Sequence, residues 1–595
     1  MISTPTDGAR LDRRLATFDS LAEGLDYVAR GNAGLNFYSG RGDLSAAVSY
    51  TELREQAIGV ARGLVQAGLP KGARMVILAE TDEDFVTVFL ACQYAGVVPV
   101  PVAIPTTIGG RDAYIAGLRR QLEGCGAAAA MGPEELVPYL EAAAEGLDVA
   151  LVGGPAAFRD LPGARADIRP LGKGDPCYLQ FSSGSTRRPQ GIDIPQASLM
   201  ANCHSIARHG LRVAGGDRCV SWLPLYHDMG LVGFFLTPLL TQMSVDYMLT
   251  RDFARRPLMW LSIITRNGGT LSYSPSFGYD LCVRRASESA VSALDLRGWR
   301  VAGLGGDMIQ PHVLRQFAES FAGAGFSPGA FTPSYGLAEA TLAVSFGVLG
   351  DGLRIDRVRR HRLAEAGEAE PAANGHDTDA REFMVCGHTL PDHVLEIRDP
   401  DGAPLPDRRV GRIFVKGPSV MAGYFGQPEA TGAVLSPDGW LDTGDLGYTI
   451  DGAVVITGRD KDLIIVNGRN IWPQDIEWAV EDLPELRRGD VAALSIVGGD
   501  ADEQVIVLAQ CRVSDPEARA ALTGAIKGVV RQVIGIECEP VLVGRRALPK
   551  TSSGKLSRSR ARRMYLAGEF KPAGGLDRAE SETRGEAESS ARAAP

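Results

Sequence analysis

Asp442 and Asp445 stand among glycines in the stretch GWLDTGDLGY, residues 439–448. A carboxylate presented on a tight, glycine-supported turn only accepts hydrogen bonds, which suits the two vicinal hydroxyls of a ribose. Arg459 could donate to the same sugar, and it opens a run of four charges, Arg459, Asp460, Lys461 and Asp462, ahead of the apolar residues 463–466. The charged run has no apolar anchor and rotates cheaply, whereas 463–466 has the composition of a buried strand. A nucleotide grip beside a domain boundary is one reading of this order. A solvated hairpin turn followed by a surface linker is the ordinary one, so partners elsewhere must decide.

Candidates for those partners lie on both sides. Residues 178–191, YLQFSSGSTRRPQG, carry hydroxyls and glycine amides able to wrap a triphosphate, with Arg187 and Arg188 to offset its charge. The stretch is not a Walker loop, because GxxxxGK[ST] is absent and Gln190 stands where a phosphate-binding lysine would be wanted. His227 and Asp228 sit side by side in WLPLYHDMG, either as a satisfied core pair or at a pocket mouth with an apolar run behind them. Residues 271–282 and 301–308 look like strands ending in Gly or Pro turns, the kind of place where ligands collect in α/β sheets. In TPSYGLAEA, Tyr335 offers a flat face for a base and Glu339 a carboxylate for a magnesium ion on phosphate oxygens, against the plainer reading of a capping turn. Near the end, LPKTSSGKLSR sets Lys550 and Lys555 on a Gly/Ser loop, where a point charge on a long stem is either solvated or bridges a carboxylate and an α-phosphate.

The elements that must position these groups read as an α/β protein. The chain has 595 residues, too many for one core, so a large composite N-terminal part and a smaller C-terminal domain are expected. Residues 49–68 predict a helix with Leu53, Ala57, Val60, Ala61 and Leu64 on one face, a cap at Ser49 or Thr51 and a stop at Gly68. Strands are expected at 75–79 and 97–102, and helices at 82–94 and 114–122, in the alternation that gives largely parallel sheets. Residues 350–379 change to Arg, Ala, Glu and Gly with few large apolar side chains, as in an insertion or mobile loop. Strands at 383–386, 394–398 and 411–416 suggest a small β-subdomain. Beyond 462, a helix opening at Pro473 and Asp475, strands at 491–497 and 504–513 and a helix from Asp515 predict a small α+β domain. Residues 570–595 have the composition of a disordered tail.

Composition excludes several functions. The formal net charge is −10 and the pI about 5.5, with no basic cluster beside stacking aromatics, which argues against nucleic acid as a partner. Nine cysteines, an odd number without a CxxC pair, point to reduced thiols in a cytoplasmic setting and to no cysteine metal site. The N-terminus lacks the apolar core of a signal peptide, and the most apolar run, 231–240, is short and interrupted by Pro238, so stable membrane insertion is not expected.

Taken together, FSSGSTRRPQG, SYGLAEAT, GWLDTGDLGY, GRDKDLIIVNGRNIWPQDIE and LPKTSSGKLSR resemble, in order, the core motifs of the adenylate-forming superfamily of acyl-CoA synthetases, luciferases and peptide-synthetase adenylation domains. WLPLYHDMGLVG, SPSFGYDLC and SYGLAEATLAVS look like those of its fatty acyl-AMP ligases. The resemblance implies an adenylation domain over 1–458, a hinge at 459–462 marked by Lys461, and a mobile C-terminal lid over 463–569. It also implies ATP and Mg²⁺ as cofactors, with Ser182, Ser183, Gly184, Ser185 and Thr186 around the phosphates. Glu339 and Thr186 would serve the metal, and Asp445 with Arg459 the ribose. Tyr335 would lie against adenine, with Gly306, Asp307, Ser334, Gly336 and Leu337 in the same nucleotide site. Lys555 would be the catalytic lysine, and His227 and Asp228 the pair near the reaction centre.

The departures are Gln190 and Arg187 in the phosphate loop, Ser276 for the usual Asn, and Gly305-Gly306-Asp307 for a more common GAE or GSE. The implied activity is conversion of a fatty acid to acyl-AMP, then transfer to the phosphopantetheine thiol of an acyl carrier protein, or of the carrier domain of a polyketide or peptide synthase. The single Asp-Ser-Leu, at 19–21, lacks a surrounding helical bundle, so the carrier is expected to be separate. The alternatives are a fatty acyl-CoA synthetase and an inactive adenylate-binding protein; an amino-acid-activating domain fits less well, since LYHDMG replaces its FDxS-type segment.

Overall fold

A computed structural model describes residues 11–104, 111–163, 165–181, 190–372, 379–466, 469–497, 503–551 and 555–570. The backbone falls into two compact units, residues 1–363 with 367–457 and residues 364–366 with 458–595.

The larger unit is built on a long mixed sheet. Its parallel part runs through Gly34–Tyr38, Ser244–Met248, Arg218–Ser221, Leu271–Ser274, Val301–Leu304 and Phe331–Gly336. From there the ladder turns antiparallel through Ala343–Phe346, Ala380–Thr389, Ala453–Arg459, Leu441–Ile450, Gly411–Lys416 and Val394–Arg398, the expected β-subdomain. A second, parallel sheet joins Val98–Val102, Arg74–Leu78, Ala127–Met131 and Leu151–Gly153.

Local sequence explains the helices between these strands. Tyr50–Gln66 starts in a capping box, with the Ser49 hydroxyl accepting from the Glu52 amide while the Glu52 carboxylate accepts from that of Ser49, and its predicted apolar face is buried. Glu83–Ala95 is capped by Asp82 and ends at Gly96 in the left-handed region, φ 76°. Burial pushes the Asp82 carboxyl up to about 6.

Four expectations need correction. Residues 350–379 are not one structureless loop: Ile355–Arg359 pairs antiparallel with Ala380–Thr389, and Arg360–Ala366 is helical. Val358 and Leu363 supply the buried anchors that a low apolar count concealed, and Asp356 is held by Arg408 and the Tyr448 hydroxyl. Residues 373–378 lie outside the described residues. Second, Asp442 and Asp445 sit within the Leu441–Ile450 strand, not on a turn, because cross-strand pairing to Gly411–Lys416 continues on either side of them. Third, residues 178–181 belong to the Pro176–Phe181 strand, so the Gly/Ser loop is shorter than its composition suggested. Fourth, 463–466 is not a strand buried on both faces: among the described residues Ile464–Val466 pairs with Arg469–Ile471 alone, leaving Ile464 buried and Ile465 exposed.

The smaller unit is α+β. Val491–Val497 and Glu503–Gln510 pair antiparallel, and Glu539–Val543 adds in parallel. Alternation along the middle strand separates two cores. Val505, Val507 and Ala509 pack with residues of the Pro473–Glu481 and Pro516–Ile534 helices, whereas Ile506 and Leu508 pack with Ala561 of the Arg558–Leu566 helix. Among the described residues, no helix is long and apolar enough to cross a membrane.

Candidate functional site

In the larger unit the candidate groups gather where parallel strands end. Val301–Leu304 runs into Gly305, Gly306 and Asp307, and beside it Phe331–Gly336 carries Ser334 and Tyr335. The Ser334 hydroxyl donates to the Leu304 carbonyl at 2.9 Å, tying the two strand ends together. Asp307 accepts from the Met308 amide at 2.8 Å, and Ser276, after the neighbouring strand, accepts from that of Gln310 at 3.1 Å. Gly336 is required by proximity, since a β-carbon there would lie 1.8 Å from the Leu342 carbonyl oxygen. Leu337 follows in extended backbone.

The Tyr335 hydroxyl donates to Asp445 at 2.7 Å, and both side chains are buried. Asp445 reaches that position through a bulge. The ladder shifts register between Arg412 and Phe414, where the facing strand places extra residues between Asp442 and Leu446. Gly444 takes φ 69° there, a conformation that favours glycine. The Thr443 hydroxyl donates to the Ile413 carbonyl and accepts from the Asp445 amide, while Asp442 accepts from the Gly444 amide and pairs with Arg412 at 3.0 Å. The two aspartates therefore differ: Asp442 holds the bulge and Asp445 is what the bulge presents.

Glu339 lies in the Ala338–Ala340 turn, and the Tyr424 hydroxyl donates to it at 3.1 Å. Burial first, and then the Glu339 charge, push the Tyr424 hydroxyl well above the ordinary tyrosine range. Thr341 next to the turn has φ 67° and ψ −58°, with the Leu342 amide donating back to the Ala340 carbonyl at 2.8 Å. This is the positive-φ kind of γ-turn, which is strained unless its surroundings fix it. They do: the buried Thr341 hydroxyl donates to the Ser419 carbonyl at 2.7 Å, and the Met421 amide donates to the Glu339 carbonyl at 2.9 Å. The Ser419 hydroxyl in turn bonds His393 and Asn202. Burial holds His393 below the ordinary histidine range.

Pro176–Phe181 and Gly191–Pro195 pair antiparallel and flank the Gly/Ser loop; its candidates Ser182, Ser183, Gly184, Ser185 and Thr186 lie outside the described residues. The loop's first strand is joined to the His227 turn, because the Gln180 amide donates to the Tyr226 carbonyl at 3.2 Å. Its second strand pairs with Gly423–Tyr424, the segment that holds Glu339. His227 Nδ1 stands 2.5 Å from Asp228 Oδ1, which also accepts from the Met229 amide at 2.7 Å. The Met229 amide also lies 3.3 Å from His227 Nδ1, so the ring is held at that nitrogen from two sides. The apolar run behind them is packed core: Phe235 meets Phe89 edge-on at 5.9 Å.

The smaller unit carries the remaining candidates. Arg459 and Lys461 are exposed, and Asp460–Asp462 forms a single 3₁₀ turn. Lys555 is fixed through its backbone: its amide donates to the Thr551 hydroxyl at 3.2 Å, and its carbonyl accepts from the Thr551 amide at 2.7 Å.

Residue patterns had not pointed to Tyr424, Thr341, Ser419 or Gln180. The placement of Tyr424 between Gly423 and Gly426 is a weak sequence signal, Thr341 and Gln180 lie within the stretches SYGLAEAT and YLQFSSGSTRRPQG, and Ser419 has no signal. Among the described residues no three or more potential ligands form a metal cage. Glu339 offers hard carboxylate oxygens oriented by a neutral hydroxyl, which fits a magnesium ion held by one carboxylate and substrate phosphates.

Residues 29–425 match the family described as AMP-binding enzyme. A protein of Caulobacter vibrioides provisionally named acyl-CoA synthetase is 50% identical over 572 residues, 96% of this chain and 99% of its own. The long-chain-fatty-acid–AMP ligase FadD26 of Mycobacterium tuberculosis is 31% identical over 561 residues, 88% of this chain and 92% of its own. A solved structure from studies of fatty acyl-adenylate ligases of E. coli and L. pneumophila superimposes with a TM-score of 0.89 at 44% identity, covering 94% of this chain and 100% of the other.

Proposed function

Because this chain belongs to the AMP-binding enzyme family, we propose that it activates a fatty acid with ATP to acyl-AMP and then passes the acyl group to the phosphopantetheine thiol of a separate acyl carrier protein. The observation that carries the nucleotide part is the Tyr335–Asp445 pair beside the strand ends at Leu304 and Ser334. The fatty-acid part is supported by the similarity to FadD26 and to the fatty acyl-adenylate ligase structure.

In this reading Asp445, aimed by Tyr335, accepts from the ribose hydroxyls and Arg459 donates to the same sugar. The face of Tyr335 covers the adenine ring, with Gly306, Asp307, Ser334, Gly336 and Leu337 at its edge. Ser182, Ser183, Gly184, Ser185 and Thr186 cradle the phosphates. Glu339 with Thr186 would hold Mg²⁺, which neutralises triphosphate charge when bound. A carboxylate oxygen of the fatty acid attacks the α-phosphorus in line; the bond to the bridging oxygen breaks, and pyrophosphate leaves with that electron pair. The nucleophile is already ionised at neutral pH, so no general base is required. Lys555 spans the carboxylate and the α-phosphate as charge builds between them. His227, held at Nδ1 by Asp228, faces the acyl phosphate. Lys461 marks the hinge on which residues 463–569 turn as a lid over the domain of residues 1–458. We place the reaction in the cytoplasm, in keeping with nine free, buried cysteines.

A second reading, with CoA as acceptor, is favoured by the name of the Caulobacter relative. Incubation with ATP, Mg²⁺ and a panel of fatty acids, followed by mass spectrometry, separates the two. Acyl-AMP that accumulates with CoA present and is consumed by holo carrier protein supports the proposal. Acyl-CoA formation at a comparable rate replaces it with the second reading, and no acyl-AMP from any fatty acid returns the chain to a binding role.

A further inference from the structure

We propose that Arg558 is a positioning residue for adenylate formation: it locks the Lys555 loop to the end of the linker turn, so that the lysine and Asp462 move as one body. The inference rests on the assignment of Lys555 made above. Arg558 opens the Arg558–Leu566 helix three residues after Lys555. Its guanidinium forks onto Glu477, with Nε 2.8 Å from one carboxylate oxygen and Nη2 2.7 Å from the other. Its remaining arm reaches Asp462 at 3.1 Å. The three side chains are 16%, 6% and 15% exposed, so the cluster is largely shielded from water and salt. Glu477 also accepts from the Ala493 amide at 3.0 Å, anchoring the fork to the central sheet.

One turn beyond Glu477 on the Pro473–Glu481 helix, Glu481 accepts from the amides of Gly489 and Val491. It is pushed up to about 8 by burial and by the charge of Glu477. Arg558 thus answers Glu477 and Asp462, and the third carboxyl is left to the backbone amides.

On the other side of Lys555 the chain is equally fixed. Lys550 bridges to Leu556, and the Ser557 amide donates to the Pro549 carbonyl at 2.9 Å. Lys555 is therefore held to Thr551 on one side and followed within three residues by Arg558, which is joined to Asp462. Rotation in the linker is then confined to residues before Asp462. An ammonium group carried on a loosened loop would reach the reacting atoms in the wrong place, and misplacement of about 1 Å costs on the order of 10²-fold in rate. A lysine at 558 could contact Asp462 but could not fork onto Glu477 as well.

The test measures kcat and KM for acyl-AMP formation in Arg558→Met, Arg558→Lys, Asp462→Asn and the control Lys555→Ala. Arg558→Met is expected to lower kcat about 10²-fold with KM for ATP within roughly threefold, because the damage lies in positioning and not in nucleotide binding. Arg558→Lys should fall between Arg558→Met and wild type, and Asp462→Asn should lose about tenfold in kcat. Hydrogen exchange in the Val491–Val497 strand reports whether the smaller unit stays folded; if Arg558→Met loses that protection, the milder Asp462→Asn decides. If Asp462→Asn and any folded Arg558→Met keep wild-type kcat while Lys555→Ala abolishes the reaction, the lock is wrong and the function stands. If Lys555→Ala itself leaves acyl-AMP formation unchanged, the underlying assignment falls instead.

Discussion

The carboxylates that the proposed reaction uses and those that frame the Lys555 loop are held in different ways. In the larger unit Glu339 and Asp445 each accept a hydrogen bond from a tyrosine hydroxyl, Tyr424 and Tyr335. In the smaller unit Asp462 and Glu477 are joined by one guanidinium, that of Arg558. A hydroxyl orients a carboxylate and adds no charge, so the oxygens stay suited to a cation or to sugar hydroxyls. A guanidinium orients and neutralises together, which turns the acids into framework. In the proposed reaction the larger unit supplies the acids Glu339 and Asp445, and the smaller unit supplies the cations Arg459 and Lys555.

The largest effect expected from breaking that division is at Lys555. Lys555→Ala should lower acyl-AMP formation by about 10²–10³-fold while equilibrium ATP binding stays within a few-fold, as for other groups that meet charge only as it develops. Glu339→Gln keeps the shape and the Tyr424 bond but removes the charge. It should cost about 10²-fold in rate and raise the magnesium concentration needed for half-maximal activity, read from a metal titration. Asp445→Asn should raise the KM for ATP by about tenfold, the scale of one charge-assisted hydrogen bond, whereas Tyr335→Phe should raise it only a few-fold. If Tyr335→Phe proves as damaging as Asp445→Asn, the tyrosine is more than an orienting hydroxyl.

The smallest effect concerns stability. Glu481 titrates near 8 in the fold against 4.5 unperturbed. Between those values the folded state binds more protons than the unfolded one, so the smaller unit loses stability as pH rises through the window. Glu481→Gln should flatten that decline between pH 5 and 8.5, measured by hydrogen exchange in the Glu503–Gln510 strand. Asp82, raised to about 6 from 3.8, should give the larger unit a decline that is complete at lower pH. An unchanged slope in Glu481→Gln would contradict the assignment of that decline to Glu481.

Much of the framework was legible in the sequence because local chemistry determines it. The Ser49 cap and the helix that opens at Asp82 each depend on chemistry within a few residues. What escaped was decided across the chain. Glycines around Asp445 suggested a turn, yet pairing with Gly411–Lys416 extends the segment and uses Gly444 for a bulge. The charged composition of 350–379 hid a strand that needs only the partner Ala380–Thr389 and two buried anchors. At the site, the types of Tyr335, Glu339, Asp445 and Lys555 suggested chemistry. Their supports, Tyr424, Thr341 with Ser419, and Arg558, act through hydrogen bonds to residues distant in the chain, which the motifs containing Thr341 and Arg558 do not reveal.

Isotope exchange between pyrophosphate and ATP, with wild type and Lys555→Ala compared under the same fatty acid, reads acyl-AMP formation itself. Exchange should require the fatty acid in wild type and fall about 10²–10³-fold in Lys555→Ala with ATP binding retained. Exchange undiminished in Lys555→Ala, or absent from wild type with every fatty acid supplied, would contradict the proposed role of Lys555 in acyl-AMP formation.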